Sequence, residues 1–465
     1  MTKQESGKRP SAFLILALGL GLMVGLAQAQ WIEDSVNVGT DQFYSVSMAY
    51  NPTADVVYGI GYDAFFAIDC ATNQFISSIP SPQWCIGNSV VYDSTDGKAY
   101  YTMDDYDSVV VVDGTAHSRL GAFALDGPRH LVWDPDLDRL YVCQQSDNRV
   151  AVIDCRTDSL LTRIRVGASP YRLYLNRPQH KLYTANLDGE SVSIIDLATN
   201  EVIRTVSVGS QPYAGWYAPA SGKFYCGTVG ANVCVVDGVG DTLRKVISLS
   251  PGGVNEDAVG GSEARGFALA GTYYDTVFVI DIARDSIIRR YYAGGHIPSV
   301  LLYGVTSDRF YCANHFSAGG NVAVLAGDGS GVLRTLPVPT PITLVAVPAH
   351  GRIYVGSGES QYVYVLRDSA TGVCEAEERS ELPVLAARPN PFRHAVTFSA
   401  PASLTGPVRI WNAAGALVRT LPGRSGSDDW IWDGRDEFGR AVAPGVYCVT
   451  VDGAPGAALK LVRLP

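Results

Sequence analysis

The sequence predicts an all-β protein, on the evidence of a repeated strand motif, the spacing of its copies and the composition. The motif is a β-branched run that ends in Asp and enters a turn, as in residues 148–158 (NRVAVIDCRTD). Further copies occupy residues 64–69, 109–113, 192–196, 233–237 and 277–281, with weaker copies at 322–326 and 363–367. The 25 Tyr, the 48 Gly and a charged fraction of only 18% suit many short strands joined by tight turns.

The spacing of the motif predicts how these strands assemble. Equivalent positions 69, 113, 154, 196, 237, 281, 326 and 367 lie 41 to 45 residues apart. A β-rich repeat of roughly 40–45 residues is typical of a propeller blade, a sheet of about four strands that packs against its neighbours around a channel. Eight copies predict an eight-bladed β-propeller over residues 30–368. Seven blades are the alternative, because the sixth repeat, around residues 252–271, is irregular and Gly-rich.

Ring closure is predicted from the two ends of the repeat region. Residues 32–39 are similar to the outer strand and turn of later repeats, such as residues 203–209, whereas the last repeat lacks a convincing outer strand. We therefore expect the N-terminal strand to complete the last blade. Closure of this kind removes exposed sheet edges, which otherwise act as templates for aggregation.

Within one repeat the strands are expected to follow in order from the channel outwards. Residues 170–175 open the innermost strand, and residues 181–186, 191–196 and 201–208 form the second, third and outer strands. Tyr183 of the second strand recurs in other repeats, and we expect it to pack between blades rather than to contact a ligand. Asp196 and its counterparts are expected to close Asx-type turns, in which the carboxylate accepts hydrogen bonds from nearby backbone N–H groups.

The first residues predict export. Residues 1–29 combine a basic start, an apolar run over residues 11–26 and the small-residue site Ala27-Gln28-Ala29, which together form a signal peptide pattern. The apolar run is shorter than the roughly 20 residues that span a bilayer, so we expect cleavage before Gln30 and no membrane span afterwards. The net charge of −10 argues against nucleic acid as a partner, because phosphate binding needs a basic face.

Export changes the interpretation of the nine cysteines. An oxidising compartment permits disulfides, but an odd count leaves at least one thiol unpaired or intermolecular. Cys226 and Cys234 lie on neighbouring strands of one repeat and could form a bridge, although packing thiols are the favoured interpretation. No metal ligand set and no cofactor motif stands out, so no metal and no cofactor is predicted.

The repeats resemble a known family. Residues 183–186 (YTAN) followed by residues 192–196 (VSIID) resemble the YVTN-type β-propeller repeats, and residues 311–314 (YCAN) are a partial second match. Residues 166–170 and 208–212 resemble the V-G-x-x-P link that joins blades in that family. The resemblance implies the propeller fold. It leaves the activity open, because such propellers occur in surface-layer, binding and enzymatic proteins.

A charged linker, residues 369–385, separates the repeats from a small C-terminal domain, residues 386–465, with the alternating strands of an immunoglobulin-like β-sandwich. Residues 390–392 (NPF), 432–439 (WDGRDEFG), 445–447 (GVY) and 460–463 (KLVR) resemble FlgD-like immunoglobulin domains and the C-terminal sorting domains of type IX secretion. This resemblance implies passage through the periplasm and recognition by export machinery, and hence a secreted or cell-surface protein. The alternative is a plain structural module.

The candidate place for a ligand site is one mouth of the propeller channel, where the loops entering the innermost strands converge; an ordinary solvated rim is the favoured alternative. The candidate residues there are Arg129, His130, Tyr171, Arg172, Tyr213, Glu256 and His296. No nucleophile elbow, zinc-protease motif or phosphate-binding loop is present, and no catalytic residue is predicted. The favoured function is therefore a displayed scaffold that binds a protein or glycan ligand. The alternative is a propeller enzyme, such as a lactonase, lyase or quinone-dependent dehydrogenase, with its site at the channel mouth.

Overall fold

The computed structural model describes residues 30–39, 47–61, 64–81, 87–250, 253–315, 320–369, 386–399, 405–412, 417–423, 429–451 and 458–464. They fall into two compact units, one within residues 28–372 and the other within residues 373–465. The predicted signal peptide and nearly all of the predicted linker lie outside the described residues. The described residues contain no α-helix, only short 3-10 turns at Asp104–Tyr106, Arg177–Gln179, Glu263–Arg265 and Pro348–His350.

The larger unit is built from eight antiparallel sheets of four strands each. Its first strand is β1 (Ile32–Asn37). The first four blades contain β2 (Ser47–Asn51), β3 (Val56–Ile60), β4 (Ala64–Asp69) and β5 (Gln74–Pro80); β6 (Gly87–Asp93), β7 (Lys98–Met103), β8 (Ser108–Asp113) and β9 (Arg119–Ala124); β10 (Pro128–Asp134), β11 (Arg139–Gln144), β12 (Arg149–Asp154) and β13 (Ser159–Arg165); and β14 (Pro170–Asn176), β15 (Lys181–Asn186), β16 (Ser191–Asp196) and β17 (Glu201–Ser207).

The last four blades repeat this order. They contain β18 (Pro212–Ala218), β19 (Lys223–Thr228), β20 (Asn232–Asp237) and β21 (Thr242–Ser248); β22 (Val254–Ser262), β23 (Phe267–Thr272), β24 (Thr276–Asp281) and β25 (Ser286–Tyr292); β26 (Pro298–Gly304), β27 (Arg309–Asn314), β28 (Asn321–Ala326) and β29 (Val332–Leu336); and β30 (Pro341–Val347), β31 (Arg352–Ser357) and β32 (Tyr362–Arg367), to which β1 is added. The innermost strands β2, β6, β10, β14, β18, β22, β26 and β30 contact one another in sequence, and β30 contacts β2. They form a closed ring.

The ring closes as predicted. Strand β1 pairs antiparallel with β32, from Ile32 opposite Leu366 to Asn37 opposite Tyr362. The N-terminal strand thereby becomes the outer strand of the eighth blade, and the alternative of seven blades is wrong. The irregular sixth repeat is a complete sheet whose inner strand carries a bulge between Val254 and Val259. Its glycines fit this packing, because a Cβ on Gly261 would meet the ring of Trp216 at 2.6 Å.

Burial follows the position of a strand within its blade. In the third blade, residues 150–153 of β12 are fully buried, whereas most of the outer strand β13 is exposed. Neighbouring blades cover both faces of the second and third strands. The sequences of these strands are therefore continuous apolar runs. Tyr100 of one blade packs with Leu131 and Leu140 of the next in a single apolar cluster. The hydrophobic core therefore lies between blades.

In the first six blades the third strand ends in an Asp that closes a turn, as predicted; Ala326 and Arg367 replace it in the last two. Asp154 Oδ1 accepts the backbone N–H of Thr157 at 3.0 Å, and Asp196 Oδ1 accepts the N–H groups of Ala198 and Thr199. Backbone N–H donors hold the pKa of Asp154 and of Asp237 below the ordinary value for this carboxyl. The repeated carboxylates are therefore structural and do not form a paired acid–base site.

The Tyr of the second strand packs between blades, as predicted, and the structure adds a polar contact. A basic residue at the start of the second strand, and the Tyr two residues later, reach into the loop between the third and fourth strands of the next blade. We call this the interblade contact. Lys98 Nζ and Tyr100 Oη both donate to the carbonyl of Cys155 and to Asp158. Equivalent contacts join Lys181 to Asp241, Lys223 and Tyr225 to Asp285, Tyr311 to Asp368, and Tyr354 to Asn73.

The smaller unit contains two sheets. Strands β33 (Ala386–Arg388), β34 (Val396–Ser399) and β37 (Trp430–Trp432) form one sheet, and β35 (Val408–Asn412), β36 (Leu417–Leu421), β38 (Gly445–Val451) and β39 (Ala458–Arg463) form the other. Trp432 is fully buried, with its ring centroid 5.4 Å from that of Phe392 and 5.3 Å from that of Tyr447. This core between two sheets is sandwich-like, in agreement with the sequence.

The cysteines whose side chains are described are buried thiols: Cys70, Cys143, Cys155, Cys226, Cys234 and Cys312. Cys226 and Cys234 face each other across β19 and β20 but remain unbridged. Cys85 and Cys374, and the side chain of Cys448, lie outside the described residues. Among the helical turns of the described chain, none is long and apolar enough to cross a membrane.

Candidate ligand-binding site

The predicted site residues lie where the innermost strands begin. Arg129 and His130 open β10, Tyr171 and Arg172 open β14, and Tyr213 opens β18. Glu256 lies near the start of β22, although its side chain is outside the described residues, and His296 precedes β26. These seven residues belong to five neighbouring blades, and the closed ring brings the corresponding strand ends to one face.

Three of the residues form a stack across the third, fourth and fifth blades. The guanidinium carbon of Arg129 lies 4.3 Å from the ring centroid of Tyr171, and Arg129 Nη2 donates to Tyr171 Oη at 3.0 Å. The Tyr171 ring stacks on that of Tyr213, with centroids 5.2 Å apart and planes 16° apart. Arg172 approaches the same Tyr171 ring at 5.6 Å. These contacts fix the direction of the Arg129 side chain.

The residues of the stack differ in how much of each side chain is exposed to a ligand. Tyr171 is only 5% exposed, so it positions its neighbours and offers little surface to a ligand. Arg129 keeps 28% of its side chain exposed, and its Nη1 lies 3.7 Å from Oδ2 of Asp104. The pKa of Asp104 is raised by burial, although the nearby Arg129 charge opposes the rise. Arg129 and Asp104 are therefore the charged pair that a ligand would meet.

Asp104 also lines a polar cleft of about 510 Å³. It is lined by loops between the second and third strands and loops that enter the innermost strands: Asp104, Gly127, Gln145, Ser146, Asn148, Ala168, Ser169 and Asp188. Its walls are tied together, because Gln145 Nε2 donates to Ser169 Oγ at 2.9 Å and the N–H of Ser169 donates to Asn148 Oδ1 at 2.7 Å. Sequence reasoning missed every lining residue. The only available signal was the cluster of small polar residues after second strands.

His130 does not join the site as a ligand group. Its Nδ1 accepts the backbone N–H of Leu173 at 3.3 Å, across to the next innermost strand. Burial lowers the pKa of His130 well below its ordinary value, and the charges of Arg172 and Arg129 act in the same direction. A neutral imidazole that accepts a backbone hydrogen bond joins the third and fourth blades, so its role is structural.

His296 is placed in a different contact. Its Nδ1 lies 2.7 Å from Oδ2 of Asp275, in the loop between β23 and β24, and 59% of its side chain is exposed. The N–H of Ile297 donates to the other oxygen of the same carboxylate at 3.1 Å. These contacts anchor the loop that enters the seventh blade. Of the seven predicted residues, the structure therefore joins Arg129, Tyr171, Arg172 and Tyr213 in one cluster.

Comparisons with known proteins bear on the fold. No family model matches this chain, and no curated protein matches it. Among solved structures, the chain is similar to the computationally designed protein Ika8, with a TM-score of 0.57 and 15% sequence identity. The match covers 71% of this chain and 98% of the designed one. At this identity the likeness is one of fold alone, and it supports the β-propeller architecture.

Proposed function

We propose that this protein is a secreted or cell-surface propeller that binds a ligand in the polar cleft beside Arg129, without catalysis. The observation that carries the proposal is the stack of Arg129, Tyr171 and Tyr213, which holds one partly exposed cation 3.7 Å from Asp104. Asp104 in turn lines a cleft of about 510 Å³. Because the Arg129 side chain is already fixed before a ligand arrives, it loses little rotamer freedom when the ligand binds.

The lining favours a glycan over a protein segment as the ligand. Amide, hydroxyl and carboxylate groups dominate it, from Gln145, Ser146, Asn148, Ser169 and Asp188. Such groups match the hydroxyls of a sugar, whereas protein-binding patches usually present apolar or aromatic anchors at their centre. Arg129 adds a donor for an acidic or ring oxygen.

Binding to oligosaccharides tests this function. We expect the full chain to retain members of an array of neutral and acidic oligosaccharides, and Arg129→Ala to weaken binding at least about tenfold, the effect of losing one charge-assisted hydrogen bond. Titration calorimetry measures the change. Arg177→Ala is the matched control, because Arg177 pairs with Asp136 in the loops at the opposite ends of the innermost strands. Equal binding by both variants, or binding of protein partners alone, would overturn the glycan assignment.

The raised pKa of Asp104 favours the enzymatic alternative, since a partly buried carboxyl with a raised pKa can serve as a general acid. The same array separates the two functions. Under the binding function, a retained oligosaccharide is recovered unchanged after long incubation. Under the enzymatic one, it is converted, and Asp104→Asn abolishes the conversion while leaving the ligand bound.

We further infer that the C-terminal unit is the export signal and that the chain reaches the cell surface through the periplasm. The motif of residues 432–439, which carries the resemblance to sorting domains, contributes Asp436, Glu437 and Phe438 to a cleft of about 700 Å³. Phe438 is 81% exposed, beside the guanidinium of Arg440 at 4.9 Å. An exposed aromatic at the rim of a cleft is a suitable contact for a partner protein.

Phe438→Ser therefore should block export without unfolding the domain, because this ring contributes almost nothing to the core. We expect the variant to accumulate inside the native cell, whereas the unsubstituted chain becomes accessible to protease added outside. Leu417 is an exposed apolar residue of the same cleft. Comparing the export of Leu417→Ser with that of Phe438→Ser shows how much of the export signal depends on each side chain. Normal surface display of a chain that ends at residue 372 would show that the C-terminal unit is a plain structural module.

A further inference from the structure

A second cluster of chemically active side chains lies at the opposite ends of the innermost strands, between the second and third blades. Asp93 ends β6, Asp138 precedes β11 and Cys155 follows β12. One ligand atom from each residue lies within 4.8 Å of the others, and Asp93 and Cys155 are buried while Asp138 is partly exposed. Among the described residues this is the one such group of three.

We propose that Asp93, Asp138 and Cys155 bind a divalent cation, with zinc the best match to the ligands. The pointer to a ligand is Asp93, which is fully buried and whose Oδ2 has no hydrogen-bond partner among the described residues. Its other oxygen accepts the N–H groups of Thr95 and Asp96 at 2.8 and 3.1 Å. Oδ2 is therefore the oxygen available to a cation, and a bound cation satisfies it.

The surroundings hold the three side chains in place. Trp133 Nε1 donates to Asp138 Oδ1 at 3.3 Å, and the N–H of Cys155 donates to the carbonyl of Asp138 at 3.2 Å. Lys98 Nζ, which contacts the carbonyl of Cys155, is already bound to Asp158 at 3.0 Å. Outer hydrogen bonds of this kind orient metal ligands, and the ion pair with Asp158 engages the lysine outside the cluster.

The other blades show that this combination is unusual within the chain. At the position of Asp93, the first and fourth blades have Asn51 and Asn176, whose Nδ2 groups donate to Tyr58 and Tyr183. An aspartate cannot make this donation when ionised. The third blade has Asp134, also with an unpartnered Oδ2, but its neighbours at the other two positions are His180 and Leu197. Only the second and third blades place three ligand-type residues together at these positions.

The ligand types select the cation. Calcium and magnesium take oxygen ligands almost exclusively, whereas a thiolate with carboxylates suits zinc or cobalt. Coordination through sulfur requires the thiol of Cys155 to lose its proton to solvent as the cation binds. Because Asp138 is partly exposed, a cation can reach the cluster from solvent on its side. The bound cation would join two adjacent blades, so we expect it to stabilise the folded chain.

Titration of the chelator-treated full chain with Zn²⁺ and Co²⁺ tests the site. We expect one equivalent to bind, the unfolding midpoint to rise, and Co²⁺ to give a thiolate charge-transfer band in the near ultraviolet. Asp93→Asn and Cys155→Ser should each weaken binding by at least the roughly 10–100-fold that loss of an outer-shell partner costs. Asp93→Asn should fold, because Asn already occupies the equivalent position in two other blades. If Cys155→Ser does not fold, the affinity of Asp93→Asn for Zn²⁺ is the result that tests the site.

Asp134→Asn is the matched control, because it makes the same change at the equivalent position of the next blade, outside the cluster. It should leave the affinity for Zn²⁺ unchanged. The absence of binding to the full chain would overturn the site. Binding that persists equally in Asp93→Asn and Cys155→Ser would place the cation elsewhere and overturn it as well.

Discussion

Asp285→Asn should lower the free energy of unfolding by about 3 kcal/mol, because it leaves a buried lysine without its counter-charge. Asp285 Oδ1 lies 2.7 Å from Lys223 Nζ, with 3% and 10% of the two side chains exposed, and Tyr225 Oη donates to the same oxygen at 2.9 Å. Asparagine preserves the shape, and it tolerates the backbone φ of 50° found there. Urea unfolding measures the loss.

Two further variants isolate the cause of this effect. Asp136→Asn removes a carboxylate that contacts Arg177 at 2.6 Å on the exposed surface, so stability should barely change. Lys223→Met added to Asp285→Asn should recover part of the loss, since it removes the uncompensated buried charge. Equal stability of Asp285→Asn and the unsubstituted chain would show that the interblade contact does not stabilise the ring.

Removal of β1 should prevent the propeller from closing. A chain that begins at residue 47 leaves β32 as an open edge strand, and it leaves Arg352, with 6% of its side chain exposed, without its partner Glu33 at 2.6 Å. Unpaired edges promote association between chains, and loss of the carboxylate beside a buried guanidinium destabilises the fold. We expect oligomers in size-exclusion chromatography and loss of a cooperative unfolding transition.

The matched control begins at Gln30 and keeps β1. It should be monomeric, with a single sharp transition for the propeller. A synthetic peptide of residues 30–39, added to the shortened chain during refolding, should restore the monomer by supplying the missing strand. A shortened chain that is monomeric and unfolds at the control temperature would contradict the importance of closure.

Most of the fold could be predicted because it is a repeat. The strand order in the fourth blade, the turn at Asp196 and the closing role of residues 32–39 all follow from local patterns that recur at a near-constant interval. The sixth repeat was harder to predict as a complete blade. Gly261 weakens a strand signal, yet in the folded chain its missing side chain makes room for Trp216, which lies far away in sequence.

The candidate site was predicted less completely. Residues at equivalent places in successive repeats, such as Arg129 and Tyr171, are expected on one face because the repeat sets their position, and these two side chains are in contact. His130 occupies a similar place, but its ring turns toward the backbone of Leu173 and becomes part of the packing. The direction of a side chain depends on neighbours that the pattern does not reveal.

By itself the sequence determined the architecture: eight four-stranded blades, the strand that closes them and a second β unit. It could do so because hydrophobic alternation, turn residues and repeat length are local properties. Only the tertiary structure decided which side chains meet. The Arg129 stack, the polar cleft, the interblade contacts and the group of Asp93, Asp138 and Cys155 each join residues from different blades, about 40 residues or more apart for most pairs. Their distances depend on the rotation from blade to blade, which no local pattern encodes.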